Sequence, residues 1–265
     1  PTTPSTMAGS KGRPNFIRAL LPPAFWLGAW QLAAWLVELH VEGRGNELLL
    51  PYPLTVLAAL AALVGQVSFW ASVGATFLRV AAGLFAGVVL GGLLAGLTCA
   101  SSWSARLLCP PIRIIRATPV VSFILLVLLW TQRDQVPAII SALMVLPVTW
   151  ENLVHGIEAT DAQLLELARA YRFSRSKAIR LIYLPSLRPY FLSALITSVG
   201  LAWKSGVAAE VLCTPSLAMG TQIYSSKLSL EIPDLFAWTA VVVALSLALE
   251  RGLRLMLEQK GGTQL

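Results

Sequence analysis

The stretch Val73–Cys99, VGATFLRVAAGLFAGVVLGGLLAGLTC, carries one charged residue, Arg79. It exceeds the ~20 apolar residues a helix needs to cross ~30 Å of hydrocarbon. Gly83, Gly87 and Gly91 recur every fourth residue, with Gly92 and Gly96 beside them. That spacing lines one helix face with residues that let another backbone come close. Two uses fit such a row: tight packing within one chain, or a seam between subunits. Arg79 stands early in the span, where a long side chain reaches the interface, and reads as an anchor ahead of a ligand contact.

The rest of the chain agrees with a lipid solvent. Hydrophobic residues make up 56% of the 265 and charged residues 12%, and the mean hydropathy is +0.71. A soluble domain of this size carries about twice that charge fraction. The reading is an all-α polytopic membrane protein with six transmembrane helices. They are roughly Ala19 to Val37, Val73 to Cys99, Leu108 to Trp130, Val136 to His155, Pro189 to Val211 and Pro233 to Arg251. Between the first two, Pro51 and Pro53 interrupt the run, and Leu54 to Val64 is too short to cross. It reads as an outer interfacial helix before span two. Residues 1–18 read as a disordered cytoplasmic lead without a cleavable-signal pattern, 19–257 as the transmembrane domain and 258–265 as a cytoplasmic tail.

Charge sets the orientation. With six spans and both termini cytoplasmic, the inner segments collect fifteen of the twenty Lys and Arg residues. The outer loops keep Arg44, Arg133 and Lys227, whereas a seventh span would break the positive-inside pattern. The net charge of +7 is then a matter of topology and lipid headgroups. Nothing in it asks for nucleic acid, which needs aromatic interleaving and a larger basic surface. Cys99, Cys109 and Cys213 have no CxxC spacing and read as small apolar residues, with no metal implied.

Span five is unusual, since GLAWKSGVAAEVL, Gly200–Leu212, places Lys204 and Glu210 in an apolar helix. Ionisable groups at membrane depth are costly unless paired or facing water. Six residues correspond to about 600° of rotation, so the two do not pair with each other on one helix. Each, like Arg79, is a candidate for the translocation path or for structural pairing.

Between spans four and five, about 158–188, lies the most basic segment. Thr160 followed by Gln163 forms a capping pattern, and Leu164, Leu165, Ala168 and Tyr171 recur at helical spacing as an apolar stripe. Ser174 caps a second short helix from Arg175 to about Tyr183, which Pro185 helps end. The bend between them falls at Arg172 and Phe173. An apolar stripe at the inner face wants a partner, either lipid headgroups or a protein.

These residues resemble the cytoplasmic signature of ABC importer permeases: E-A-A, three residues, G, nine residues, I-x-L-P. Here it stands as Glu166, Leu167, Ala168, then Arg172, then Ile182, Tyr183, Leu184 and Pro185. The spacing matches, while Leu167 replaces Ala and Arg172 replaces Gly. LPYP at Leu50–Pro53, FLRVAAGLFAGVVLG at Phe77–Gly91, IRATPVVSFILLVLLW at Ile115–Trp130 and the Lys204 stretch resemble the nitrate/sulfonate/taurine branch. The resemblance covers about Leu48 to Glu250.

The resemblance implies a binding-protein-dependent importer of type I fold in a bacterial cytoplasmic membrane. A second copy of the permease completes the path, and two cytoplasmic ATPase subunits bind ATP and Mg. An extracytoplasmic binding protein delivers the solute, a sulfonate-, nitrate- or taurine-like anion or a vitamin-precursor-like molecule. The segments flanking the bend become a cytoplasmic coupling-helix pair, and the first helix docks on the ATPase through Thr160, Leu164, Leu165, Glu166, Ala168, Arg169, Tyr171 and Arg172. The resemblance implies a transport subunit without catalysis or cofactor of its own, and no GxxxxGK[ST] nucleotide site stands in the sequence. A channel or secondary transporter without ATPase coupling is the alternative. A membrane enzyme is disfavoured, because no His/Cys/Asp/Glu cluster has metal or nucleophile spacing.

Overall fold

The computed structural model describes residues 16–41 and 48–261. Most of the expected lead, the ends of the tail, and Lys11, Arg13 and Arg44 lie outside them. The described chain is helical: α1 Phe16–His40, α2 Pro53–Val64, α3 Val67–Ala100, α4 Ser102–Ala117, α5 Val120–Trp130, α6 Val136–Glu158, α7 Ala162–Ala170, α8 Arg175–Cys213, α9 Met219–Leu228 and α10 Ile232–Gly261.

Among the described residues, α3, α6, α8 and α10 are long and apolar enough to cross a membrane. A helix also forms over the expected first span, 25 residues in α1. The expected third span, Leu108 to Trp130, is not one straight helix. It divides into α4 and α5, which meet at 108°. Pro119 accounts for the break: its ring pushes the preceding residue out of helical space, and Thr118 takes φ −80°, ψ 132°. α5 has only 11 residues, about 16 Å of helix, and crosses nothing alone. The run Leu54 to Val64 does form a separate short helix, α2, opened by Pro53.

The core is a three-helix contact of α3, α6 and α8. Gly83, Gly87 and Gly91 of α3 lie directly against the α6 backbone. A Cβ on Gly87 would stand 2.7 Å from the Ala142 carbonyl oxygen, and one on Gly91 2.7 Å from that of Leu146. A Cβ on Gly83 would collide with the Ala138 carbonyl oxygen. The glycine row therefore serves packing within the chain. From the third side Gly206 of α8 enters, where a Cβ would be 2.6 Å from Val80 and 2.7 Å from the Ser141 hydroxyl. That hydroxyl donates to the Ala202 carbonyl at 3.0 Å. α10 is tied to α8 by Trp203, 1% exposed, whose indole N–H donates to the Val242 carbonyl at 3.0 Å.

The segment between α6 and α8 departs from its sequence reading at three points. Asp161, one residue after Thr160, caps α7 by accepting the Gln163 N–H at 2.8 Å. Thr160 instead donates back to the Gly156 carbonyl at 3.2 Å and closes α6. Pro185 does not end the second helix, which runs on into span five. A π turn at Ile179–Tyr183 absorbs the ring, and the Leu184 N–H reaches back to the Ile179 carbonyl. The extra residue per turn gives the proline ring room and spares the normal ladder bond its missing N–H.

The bend itself is a Schellman turn. Phe173 N–H donates to the Ala168 carbonyl at 2.8 Å and Arg172 N–H to that of Arg169 at 3.0 Å. The residue after the cap must be left-handed, and Arg172 has φ 49°. Ser174 then accepts the Lys177 N–H at 3.3 Å, and the Lys177 ammonium stands 4.3 Å over the Phe173 ring. The position that holds glycine in the resembled signature keeps a glycine geometry although it holds Arg172 here.

Two outcomes follow from this packing. Gly87→Val destabilises the protein by about 1–3 kcal/mol through overpacking, whereas Gly96→Ala, whose Cβ would meet nothing within 4 Å, does not. Thermal unfolding in detergent reads both, and equal melting temperatures would contradict the close α3–α6 approach. In the same assay Arg172→Gly gains about 1 kcal/mol by relieving left-handed strain, while Arg172→Ala gains nothing.

Candidate functional site

Two constellations stand at opposite ends of the bundle. The first is the loop around α7. Asp161 starts the helix and the Schellman turn stops it, so nine residues are held rigidly between two defined turns. Leu165 is half-buried and Ala168 buried, 7% exposed, and these two face the rest of the chain. Leu164, Leu167 and Tyr171 are exposed at 42%, 51% and 72%. Spacings of three and four put them on one face. The outward apolar stripe is therefore Leu164–Leu167–Tyr171, and only Leu164 and Tyr171 coincide with the stripe expected from sequence. Leu167 was legible at helical spacing between them. Glu166, Arg169 and Arg172 are exposed around the stripe and give it a charged rim.

α4, packed on α3 and α6, is amphipathic and carries Arg113 and Arg116. Arg116 pairs with Glu151 of α6 at 2.5 Å. With Trp150, Val154 and His155 they line a cavity of about 180 Å³. Trp150 is fixed by its indole N–H donating to Thr98 at 2.9 Å.

At the other end the structure brings Arg79 and Glu210 together. Glu210 has no exposed surface. One carboxylate oxygen accepts the Thr76 hydroxyl at 2.8 Å and the Gly220 N–H at 3.2 Å. The other faces Arg79 at 3.4 Å. Thr76 in turn accepts the Met219 N–H at 3.0 Å. The first free N–H groups of α9, whose own N-cap Ala218 offers no side chain, are thus satisfied by Glu210 and Thr76 from two other helices. This is a remote cap for a helix start that would otherwise bury unpaired donors. Gly220 is required there, since a Cβ would sit 2.5 Å from that of Glu210.

Arg79 also reaches Asp134 at 2.9 Å and donates to the Leu217 carbonyl. Asp134 accepts the Ser216 N–H at 3.3 Å. Arg79 therefore pins two loops onto α3 and does more than anchor at an interface. Thr76, Asp134 and Gly220 left no signal in the sequence, because they lie up to 134 positions from Glu210. Lys204 takes no part. It is exposed on α8, apart from Arg79 and Glu210.

Comparison with known proteins agrees with this architecture. The SsuC protein of Bacillus subtilis, named for aliphatic sulfonates transport, is 28% identical over 85% of this chain and 79% of its own. The taurine transport system permease TauC of Escherichia coli is 26% identical over 79% of this chain and 78% of its own. A bicarbonate transport system permease, CmpB of Synechococcus elongatus, is 27% identical over 81% and 76%. A crystal structure of an amino acid ABC transporter with histidines superposes with a TM-score of 0.59, covering 77% of this chain and 96% of that one at 18% identity. The family described as binding-protein-dependent transport system inner membrane component matches residues 87–253. On that match, over a helical bundle of the same fold, the chain belongs to this family, the transmembrane permeases of ABC transporters.

Proposed function

We propose that the chain is the permease of an ATP-driven importer that moves a small organic or inorganic anion across a bacterial inner membrane. Two copies surround one path, with six spans each and both termini in the cytoplasm. The α4–α5 pair takes the place of the third span, and α2 lies at the outer interface. An extracytoplasmic binding protein delivers the solute at the Glu210–Arg79 end. Two ATPase subunits bind ATP and Mg on the cytoplasmic side, and their closure tilts the spans between inward- and outward-facing states.

The observation that carries this reading is the outward stripe Leu164–Leu167–Tyr171 on a helix clamped at both ends. Large apolar side chains ringed by charges are the anatomy of a docking hot spot. They sit in the loop whose spacing from Glu166 to Pro185 fits the coupling signature. Leu165 is half-buried and Ala168 buried on the side away from the stripe, and the short turns at each end of α7 join it directly to α6 and α8. The substrate class rests on the relatives named for sulfonates, taurine and bicarbonate.

Co-purification of the ATPase from detergent-solubilised membranes tests the reading. Leu167→Asp and Tyr171→Asp each lower the bound ATPase at least tenfold, while Lys227→Asp at the far end leaves it unchanged. ATPase recovery that is equal in all three would place the docking surface elsewhere. Solute uptake that continues without any ATPase would remove the importer reading.

A further inference from the structure

α8 is surrounded on most of its circumference. Ala202 and Ala209 pack toward α6 and Gly206 toward α3, while Trp203 holds α10. At about 100° per residue, these contacts leave one arc uncovered, on which Thr197, Leu201, Lys204, Ala208 and Leu212 follow one another. From Gly200 to Glu210, Lys204 is the one exposed residue; Leu201 and Ala208 are half-covered and the others are buried. Lys204 lies nine residues before the end of the helix at Cys213, about 14 Å down its axis. That is near the middle of a ~30 Å hydrocarbon layer, farther than a lysine stem reaches toward headgroups. Among the described residues no carboxylate lies within ion-pair distance of its ammonium.

A lysine at mid-depth that faces acyl chains is strongly disfavoured, so such groups line water-filled passages or meet a counter-charge. Two acids approach this stretch of α8, and neither pairs with Lys204: Glu210 is fully enclosed by Thr76, Gly220 and Arg79, and the Glu250 carboxylate of α10 packs against Gly200. We propose that Lys204 is the anion-contacting residue of the translocation path, and that the Thr197–Lys204–Ala208 arc faces the same arc of a second copy across the two-fold axis. This deepens the importer reading above and rests on it. In an isologous interface a residue near the axis meets its own copy. Two ammonium groups brought together in a low dielectric repel each other, and a transiting anion between them removes that repulsion. The Glu250 carboxylate of α10 lies against Gly200 beside the arc, and the arc itself offers the anion only Lys204 and the Thr197 hydroxyl. It thereby selects for a compact monoanionic head, such as a sulfonate, nitrate or bicarbonate, and against a cation.

The test uses the complete transporter in cells, with taurine, ethanesulfonate, nitrate and bicarbonate as probe anions and thiamine as the cationic control. Lys204→Met lowers anion uptake at least tenfold at sub-saturating concentration without reducing ATPase co-purification. Lys204→Arg, which keeps the charge, retains most of the uptake. In a background with Cys99, Cys109 and Cys213 changed to Ser, Lys204→Cys repeats the loss. Modification with 2-aminoethyl methanethiosulfonate, which restores an ammonium, recovers uptake, and the sulfonatoethyl reagent does not. Oxidation of the same variant links two copies in the membrane. Wild-type uptake of thiamine and of none of the anions overturns the proposal, as does Lys204→Met transporting anions at the wild-type rate. Loss of ATPase association in the wild type would instead remove the importer reading, and the Lys204 comparison would still stand on uptake.

Discussion

Lipid gives two helices no hydrophobic reward for touching, because acyl chains are as apolar as leucine. The contact between Val67–Ala100 and Val136–Glu158 must therefore come from close van der Waals fit and from hydrogen bonds. Gly83, Gly87 and Gly91 provide the fit by removing the Cβ atoms that would otherwise meet the Ala138, Ala142 and Leu146 carbonyls. The rest of the bundle depends on that seam. Ser141, on the same stretch of α6, bonds across to the Ala202 carbonyl, and Gly206 fits against Val80 and Ser141 only because α3 and α6 already lie together. α10 is tied to α8 through Trp203 and the Val242 carbonyl.

The same economy governs the charged groups. A carboxylate without exposed surface needs its hydrogen bonds supplied in full, and Glu210 has them from Thr76, Gly220 and Arg79. In return its charge satisfies the start of α9, which no local side chain caps. Arg79 is held by Asp134 and the Leu217 carbonyl as well, so it links α3, α8, the loop before α6 and the loop between α8 and α9. This cluster ties short elements to long ones at one end of the bundle, as the α7 loop does at the other. Lys204 lies between the two ends and belongs to neither.

Long apolar runs and their glycine spacing made most of the fold legible in the sequence. Helices cover the expected first, second, fourth, fifth and sixth spans and the short helix before span two, because periodicity and length are local properties. The failures lie where one residue decides between two local outcomes. Thr118–Pro119 breaks a run that composition alone reads as continuous, and Pro185 fails to break one because a π turn absorbs it. Composition does not separate these cases, since the outcome depends on what packs around each proline. At the candidate site the stripe was half legible. Leu164 and Tyr171 face outward, but Ala168 turns in and Leu167 turns out, and which of two adjacent apolar residues is covered depends on the neighbouring bundle. The partners of Glu210 were illegible, for nothing local marks a contact between Thr76 and Glu210.

Arg172 shows how a departure from a signature can leave the mechanics intact. The Schellman turn needs a left-handed residue, and Arg172 supplies it at φ 49°, with both backbone bonds of the motif made. What the joint connects matters more than which side chain it carries. On one side is α7, with its outward stripe. On the other is a 39-residue helix, Arg175–Cys213, about 58 Å long, whose far half holds Trp203, Lys204 and Glu210. The joint to the base of that helix is short, and both flanking helices are capped at the bend. The π turn at Ile179–Tyr183 is the one irregular stretch between the joint and the buried half of the helix. Above it Gly206 and Trp203 lock the helix to three neighbours. Lys204 therefore stands on the part of the helix that is packed together with α3, α6 and α10.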